Sequence, residues 1–258
     1  MGKKVLVIAS NLGLWAEELQ GPWDELTKAG HEITLATEHG ITPLPLAFSV
    51  DPEFVDPQLN TKVNPAYVCD RTKELLAAGA WDHPIRIRDA RMTDYDAIVL
   101  VGGPGSPLDV AGNSKVHRLV VDAWQQGKVI GALCYAVGAL VWARNPDTGR
   151  SIIYGRTVVA HPKPWDFTGD LPYPLYNATP ENPGTNLVTP GFLYPLAVIV
   201  EDAVGPDGTV LSDPTATHEK PLVHVDLPFV TALSVESSKA FGETVARVLA
   251  QEPVGAAG

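Results

Sequence analysis

A single thiol stands where the chain can make it reactive. In VIGALCYAVGAL, residues 129–140, a buried-looking apolar run ends at Cys134, and good helix formers follow at once. That strand–turn–helix order is a nucleophile elbow with cysteine in the usual serine position. A helix N-terminus offers unpaired N–H groups and the positive end of a dipole, which together favour a thiolate. The plain alternative is a small buried hydrophobe at a strand end.

Three more groups could act beside that thiol. Gly102-Gly103-Pro104-Gly105 follows the strand-like run DAIVLV, and its backbone N–H groups could face a ligand or an oxyanion. Taken alone it is a tight turn, and without a GxGxxG or a P-loop lysine it does not argue for a nucleotide. Glu17 and Glu18 open a helix after the first strand, where acids complement the dipole; a carboxylate pushed against a thiol could instead hold and move a proton. VVAHP delivers His161 past a strand end, with Asp166 five residues on to orient a base. His218 and His224 lie in a proline-flanked stretch that could form a lid, His83 and His117 read as surface residues, and Cys69 has no supporting context.

These groups meet only if the elements carrying them share one sheet edge. Lys4–Ala9 (KVLVIA) is a continuous apolar, β-branched run, as in a parallel strand buried on both faces. Leu19, Trp23 and Leu26 then recur at helical spacing up to Gly30, and His31–Thr37 alternates as a second strand. This β-α-β opening takes a right-handed crossover. Further strands are expected at Asp96–Val101, Lys128–Leu133, Leu196–Val200, Thr209–Leu211 and Val230–Ser234. A hairpin is expected at Ser151–Ala160 around Tyr154-Gly155. Helices are expected at Tyr67–Gly79, from Asn113 or Ser114 to about Gln126, at Ala136–Arg144 and at Glu236–Gln251. Strands alternating with helices predict an α/β protein: a flavodoxin-like sandwich with a mostly parallel central sheet and helices on both faces. In such sheets ligands gather at the carboxyl ends of the strands.

Composition narrows the function classes. The 258 residues are 45% hydrophobic, enough for a real core. With 19 Lys+Arg against 30 Asp+Glu, the net charge of −11 argues against nucleic acid or an anionic membrane as partner. Two cysteines suit neither a disulfide scaffold nor a Cys-rich zinc site, and no metal site is expected. No apolar run reaches the roughly 20 residues that span a bilayer, and the short start MGKKVLVIAS is wrong for a signal peptide, so a cytoplasmic location is expected. Proline is in excess: 13 of 23 fall in 43–65 and 162–195, which flank the α/β pattern. A single domain over 1–258 is expected, with proline-rich insertions near 40–66 and 162–195 and no regular structure in the latter.

The opening KVLVIAS with EEL, VGGPG followed by LDVAGN, and VIGALCYAVGAL together resemble the ThiJ/PfpI superfamily in order and spacing, over residues 3–161 and again near VTALSVESSKAFGETVARVL. DPEFVDP in the first insertion is similar to the larger chaperone and glyoxalase III branch. The resemblance implies the fold of class I glutamine amidotransferases, Cys134 as nucleophile, and the backbone N–H groups of Gly103, in the turn with Gly102, and of Tyr135 as oxyanion donors. The family's helix-one glutamate falls on Glu18 in the E-x-x-x-P frame closed by Pro22; a second frame puts Gln20 there.

The sequence also departs from the glyoxalase III branch. Tyr135 stands where that branch has histidine after the cysteine, and Pro104 where it often has histidine in the glycine turn. The branch's triad acid falls at Asp166, whereas His161-Pro162 resembles the strand-end histidine of the Parkinson-associated branch. The resemblance therefore implies a cofactor-independent cysteine enzyme on a small reactive carbonyl, converting an α-oxoaldehyde to a hydroxy acid, and a homodimer. Two alternatives stay open: a hydratase or lyase on another small electrophile such as an isonitrile, and a redox-sensing or holdase stress protein with little catalysis.

Overall fold

The computed structural model describes residues 2–56, 59–166, 174–176, 186–188 and 193–251; at 166, 174–176 and 186–188 it describes the backbone alone. The chain opens with β1 (Lys4–Ile8), α1 (Ala16–Lys28) and β2 (Glu32–Thr37). The first insertion holds a 3-10 turn (Ala47–Val50) and a small ladder of β3 (Val55–Asp56) with β4 (Thr61–Lys62). Then come α2 (Ala66–Ala77), β5 (Ile85–Arg86), β6 (Ala97–Leu100), the short α3 (Ser106–Asp109), α4 (Ser114–Gln125) and β7 (Val129–Leu133). A 3-10 turn (Cys134–Val137) leads into α5 (Gly138–Trp142), followed by β8 (Thr157–Val159) and α6 (Lys163–Asp166). The rest comprises β9 (Pro174–Tyr176), β10 (Asn186–Val188), α7 (Leu196–Val204), β11 (Thr209–Leu211), β12 (Val223–Asp226), β13 (Phe229–Ala232) and α8 (Ser238–Ala250).

Seven strands form one sheet in the order β12-β13-β7-β6-β1-β2-β5. Every neighbouring pair is parallel except β12 with β13. The continuous apolar runs have the expected cause: Val5–Ile8 and Ala97–Leu100 are fully buried, with helices over both faces. α1 and α8 cross closely where glycine removes the side chain. A Cβ on Gly21 would stand 2.9 Å from the Lys239 backbone nitrogen, and one on Gly242 2.7 Å from the Pro22 Cα. α4, α5 and α7 pack together as the other layer. Asn113 caps α4, its Oδ1 accepting from the Lys115 N–H at 3.0 Å.

The chain order leaves β1 in the middle, with β2 on one side and β6 on the other. Connections diverge there, which opens a crevice at the carboxyl edge of the sheet. The loops after β1, β6, β7 and β13 all emerge at that edge.

Several expectations are corrected. Leu196–Val200 belongs to a helix: Leu196, Ala197, Val200, Ala203 and Val204 are buried at helical spacing, and a short apolar run does not distinguish the two periods. The hairpin at Ser151–Ala160 does not form. Ser151 bridges back to Arg144, and β8 pairs in parallel with β11. The segment 162–195 is not wholly irregular, since β9 and β10 pair antiparallel; its remaining expectations lie mostly outside the described residues. The edge strand β12 was not expected. It carries His224, which is therefore no part of a lid. Among the described residues no helix is long and apolar enough to cross a membrane.

Candidate active site

β7 ends by turning sharply at Cys134, which adopts φ +58, a left-handed conformation rare for any residue but glycine. The turn lifts the side chain out of the sheet into a cavity, where the residue is 4% exposed. Gly102 makes room for it: a Cβ there would lie 2.7 Å from the Cys134 Cβ and 2.5 Å from Glu18 Oε2. The backbone N–H groups of Gly103 and Tyr135 donate toward the sulfur. Ser234, just past β13, approaches from another side, with Oγ 4.0 Å from Sγ.

Glu18 reaches the sulfur from the first turn of α1 and is 1% exposed. Its carboxyl interacts with the thiol and the Gly102 N–H, while Oε2 has no hydrogen-bond partner of good geometry. Burial raises it to about 8, and repulsion from Glu236 and Glu17 adds to that. Burial and the Glu18 charge likewise push the Cys134 thiol well above its ordinary value, against the Gly103 and Tyr135 N–H groups. The two groups therefore compete for one negative charge. Gln20, the alternative from the other frame, turns away and donates to Asp24 Oδ2 at 2.8 Å.

The first insertion fixes the start of α1. The Ala16 N–H donates to Ser49 Oγ at 3.1 Å, and Trp15 Nε1–H to Asn64 Oδ1 at 3.2 Å. Asn64 is itself held, donating to the Phe48 and Asp51 carbonyls at 2.7 and 2.9 Å. Trp15 packs with Val63, Val235, Phe48 and Phe54 in a small apolar cluster that walls the cavity.

His161 lines the same cavity and is 4% exposed. No hydrogen bond joins it to the sulfur; its ring packs edge-on against Tyr135 at 4.7 Å and Trp165 at 5.5 Å. Burial lowers it to about 4, so the imidazole is neutral at physiological pH. Asp166 ends α6, and its side chain lies outside the described residues. His83 is exposed, as expected, whereas His117 is half-buried on the Ala111 carbonyl at 2.6 Å. Cys69 is buried in α2 and does not line the cavity.

Sequence reasoning missed Ser234, Glu236 and the tryptophans Trp15 and Trp165, which also line the cavity. The end of β13 was a usable signal for the first two, because every parallel strand delivers its last residues to the same edge.

Glu17, one residue before Glu18, faces the other way. His218 Nε2 sits 3.0 Å from both its carboxylate oxygens. This docks the turn at Thr217–Lys220 onto α1. Burial raises Glu17 above 4.5, and the Glu17 contact raises His218 above 6.5, so both are charged only between those shifted values. His218→Gln is expected to cost about 1–3 kcal/mol near pH 6, because it strands a buried carboxylate. The His218 contribution is full below pH 6.5 and fades as pH rises through its elevated value. Urea unfolding at pH 6 and pH 9 measures this, and an equal loss at both would refute it.

The cavity at the sulfur has a volume of about 60 Å³. That is well under the roughly 150 Å³ that accepts benzene, so the reacting end of any ligand must be small. Among the described residues no cluster of three or more His, Cys, Asp or Glu could hold a metal ion.

A doubly wound sheet with a strained cysteine elbow, a glycine turn and a buried helix-one glutamate matches one family model. The model of the DJ-1/PfpI family covers residues 3–152, more than half the chain, and the chain belongs to that family. Among characterised relatives it is similar to glyoxalase 3 of Candida albicans, 25% identical over 149 residues. That alignment spans 57% of this chain and 58% of the relative, under two thirds of its length. The crystal structure of the Candida albicans glyoxalase III superposes with a TM-score of 0.70 at 19% identity, covering 97% of this chain and 98% of that one. The 24 kDa rapid encystment protein of Francisella tularensis gives 0.65 at 22% identity, covering 96% and 100%. At these identities the superpositions speak for the shared fold.

Proposed function

We propose that the chain is a cofactor-independent cysteine enzyme that converts a small α-oxoaldehyde to the corresponding 2-hydroxy acid. The observation that carries this reading is the Cys134–Glu18 pair, buried together beneath two backbone N–H donors. The glyoxalase relative supports the same reaction class.

In this reading the Glu18 carboxylate takes the thiol proton as Sγ adds to the aldehyde carbon. The carbonyl oxygen becomes an oxyanion held by the Gly103 and Tyr135 N–H groups, and Glu18 returns the proton to give a hemithioacetal. Glu18 then removes the hydrogen from that carbon, and the electrons pass toward the neighbouring carbonyl. Reprotonation at the neighbouring carbon leaves a 2-hydroxy thioester. Water cleaves it, which restores the thiol and releases the acid; the net change is addition of one water. Neutral His161 is suited to receive a hydrogen bond from the substrate hydroxyl or from water, and so to act as the alternative base.

Cys134→Ala is expected to abolish conversion of methylglyoxal to lactate, measured by loss of dicarbonyl and by acid formed. Retention of more than about a tenth of the wild-type turnover would overturn the reading. Tyr135 and Pro104, which replace two histidines of the glyoxalase III branch, favour a second reading: hydration of another small electrophile, such as an isonitrile, by the same thiol and acid. A wild-type protein idle on α-oxoaldehydes but active on isonitriles would select it.

A further inference from the structure

Among the described residues the cavity at Cys134 is lined by three carboxyl groups, from Glu18, Asp56 and Glu236, and by no lysine or arginine. All 19 lysines and arginines of the chain fall among the described residues, so no other part of the sequence can bring one in. His218, which follows close after β11, is engaged by Glu17 at 3.0 Å and does not line the cavity. The histidine that does line the cavity is neutral. The remaining wall includes the rings of Trp15, Trp165 and Tyr135.

We propose that this cavity selects its substrates by charge, admitting neutral carbonyl compounds and those bearing an ammonium group and rejecting carboxylates, sulfonates and phosphate esters. As a statement about substrates it rests on the cysteine-enzyme reading above; as a statement about the cavity it stands alone. An anion entering a small site walled by carboxyl groups loses its water and gains no counter-charge. A cation gains carboxyl oxygens, which it favours in their ionised form, and the negative faces of aromatic rings. Glu236 is well placed for the first role: its Oε1 is already oriented by the Ser237 hydroxyl at 2.7 Å, and it lines the cavity.

The test labels Cys134 with thiosulfonates of similar size and different charge: 2-aminoethyl, methyl and 2-sulfonatoethyl methanethiosulfonate. In each case the thiolate displaces methanesulfinate and forms a mixed disulfide, so no turnover is needed. Rates at Cys134, located by mass spectrometry and divided by the rate of each reagent with a free small thiol, are compared. The cationic and neutral reagents are expected to react at least about tenfold faster than the anionic one. Glu236→Gln and Asp56→Asn are each expected to shrink the cation-to-anion ratio at least threefold. Equal normalised rates for the three reagents in the wild type, or a ratio unmoved in both variants, would overturn the proposal. A protein without α-oxoaldehyde activity that still shows the ratio would defeat the enzymatic reading and leave the charge selection intact.

Discussion

Glu18→Gln is expected to yield a more stable protein and a crippled enzyme. Glu18 is 1% exposed and raised from 4.5 to about 8, chiefly by burial. A carboxyl whose folded pKa is raised binds its proton more tightly in the native than in the unfolded state. Its penalty on stability is therefore absent below pH 4.5, grows between pH 4.5 and about 8, and is constant above. Glutamine keeps the shape of the protonated acid and never ionises. The variant should thus gain on the order of 2–4 kcal/mol at pH 8.5 and almost nothing at pH 4.5. Its Cys134 thiol should titrate lower than the wild type's, because the Glu18 charge no longer opposes the thiolate. Turnover should nonetheless fall by about 10²–10⁴, the usual worth of a placed proton carrier. Denaturant midpoints at the two pH values, thiol alkylation against pH, and kcat together decide the matter. A variant destabilised at pH 8.5, or one with near wild-type kcat, would show that Glu18 is structural.

Gly103→Ala is the second large effect, and it arises from backbone alone. Gly103 holds φ +105, a conformation that side chains rarely adopt. A Cβ there would stand 2.6 Å from the Trp15 backbone nitrogen and closer still to the Gly13 carbonyl oxygen. Neither atom can swing aside as a side chain could. Overpacking and the strained φ together should cost about 3–5 kcal/mol, or roughly a 10 °C fall in Tm for a chain of this size. Gly127→Ala is the matched control: its φ is +64 but nothing lies within 4 Å of the added atom, so it should cost about 1 kcal/mol. Similar losses in the two variants would mean that the turn moves freely and that the Gly103 N–H is not held on the sulfur.

The parallel sheet was legible because its strands are buried on both faces, and Val5–Ile8 and Ala97–Leu100 had to be nearly pure hydrocarbon. Cys134 and the glycine turn were legible for a related reason, since each lies directly after such a strand, and Glu18 opens the helix that follows β1; chain direction alone fixes the edge all three reach. Leu196–Val200 reads as a strand because five consecutive apolar residues satisfy a strand and a helix equally well; packing of Leu196–Val204 against α5 decides between them. The pairing of β8 with β11 joins segments about fifty residues apart, and no local pattern announces it. Ser234 and Glu236 were hidden for the opposite reason, since their local sequence simply reads as the end of a strand and the start of a helix. His218 meets Glu17 across 201 residues, a contact that only the folded chain brings about.

Among the described residues the cavity walls come from six places far apart in the chain, from Trp15 and Glu18 near its start to Ser234–Glu236 near its end, and they meet around a space of about 60 Å³. No fragment ending before residue 234 can enclose the thiol, however well its own strands pair. Cys134 is shielded in the native protein and uncovered in any partly assembled one. A thiol reagent too bulky for a space of about 60 Å³ therefore reports chains whose last strand has not yet docked, whereas small reagents reach the sulfur in the native protein, which makes the sulfur a built-in gauge of how complete the molecule is.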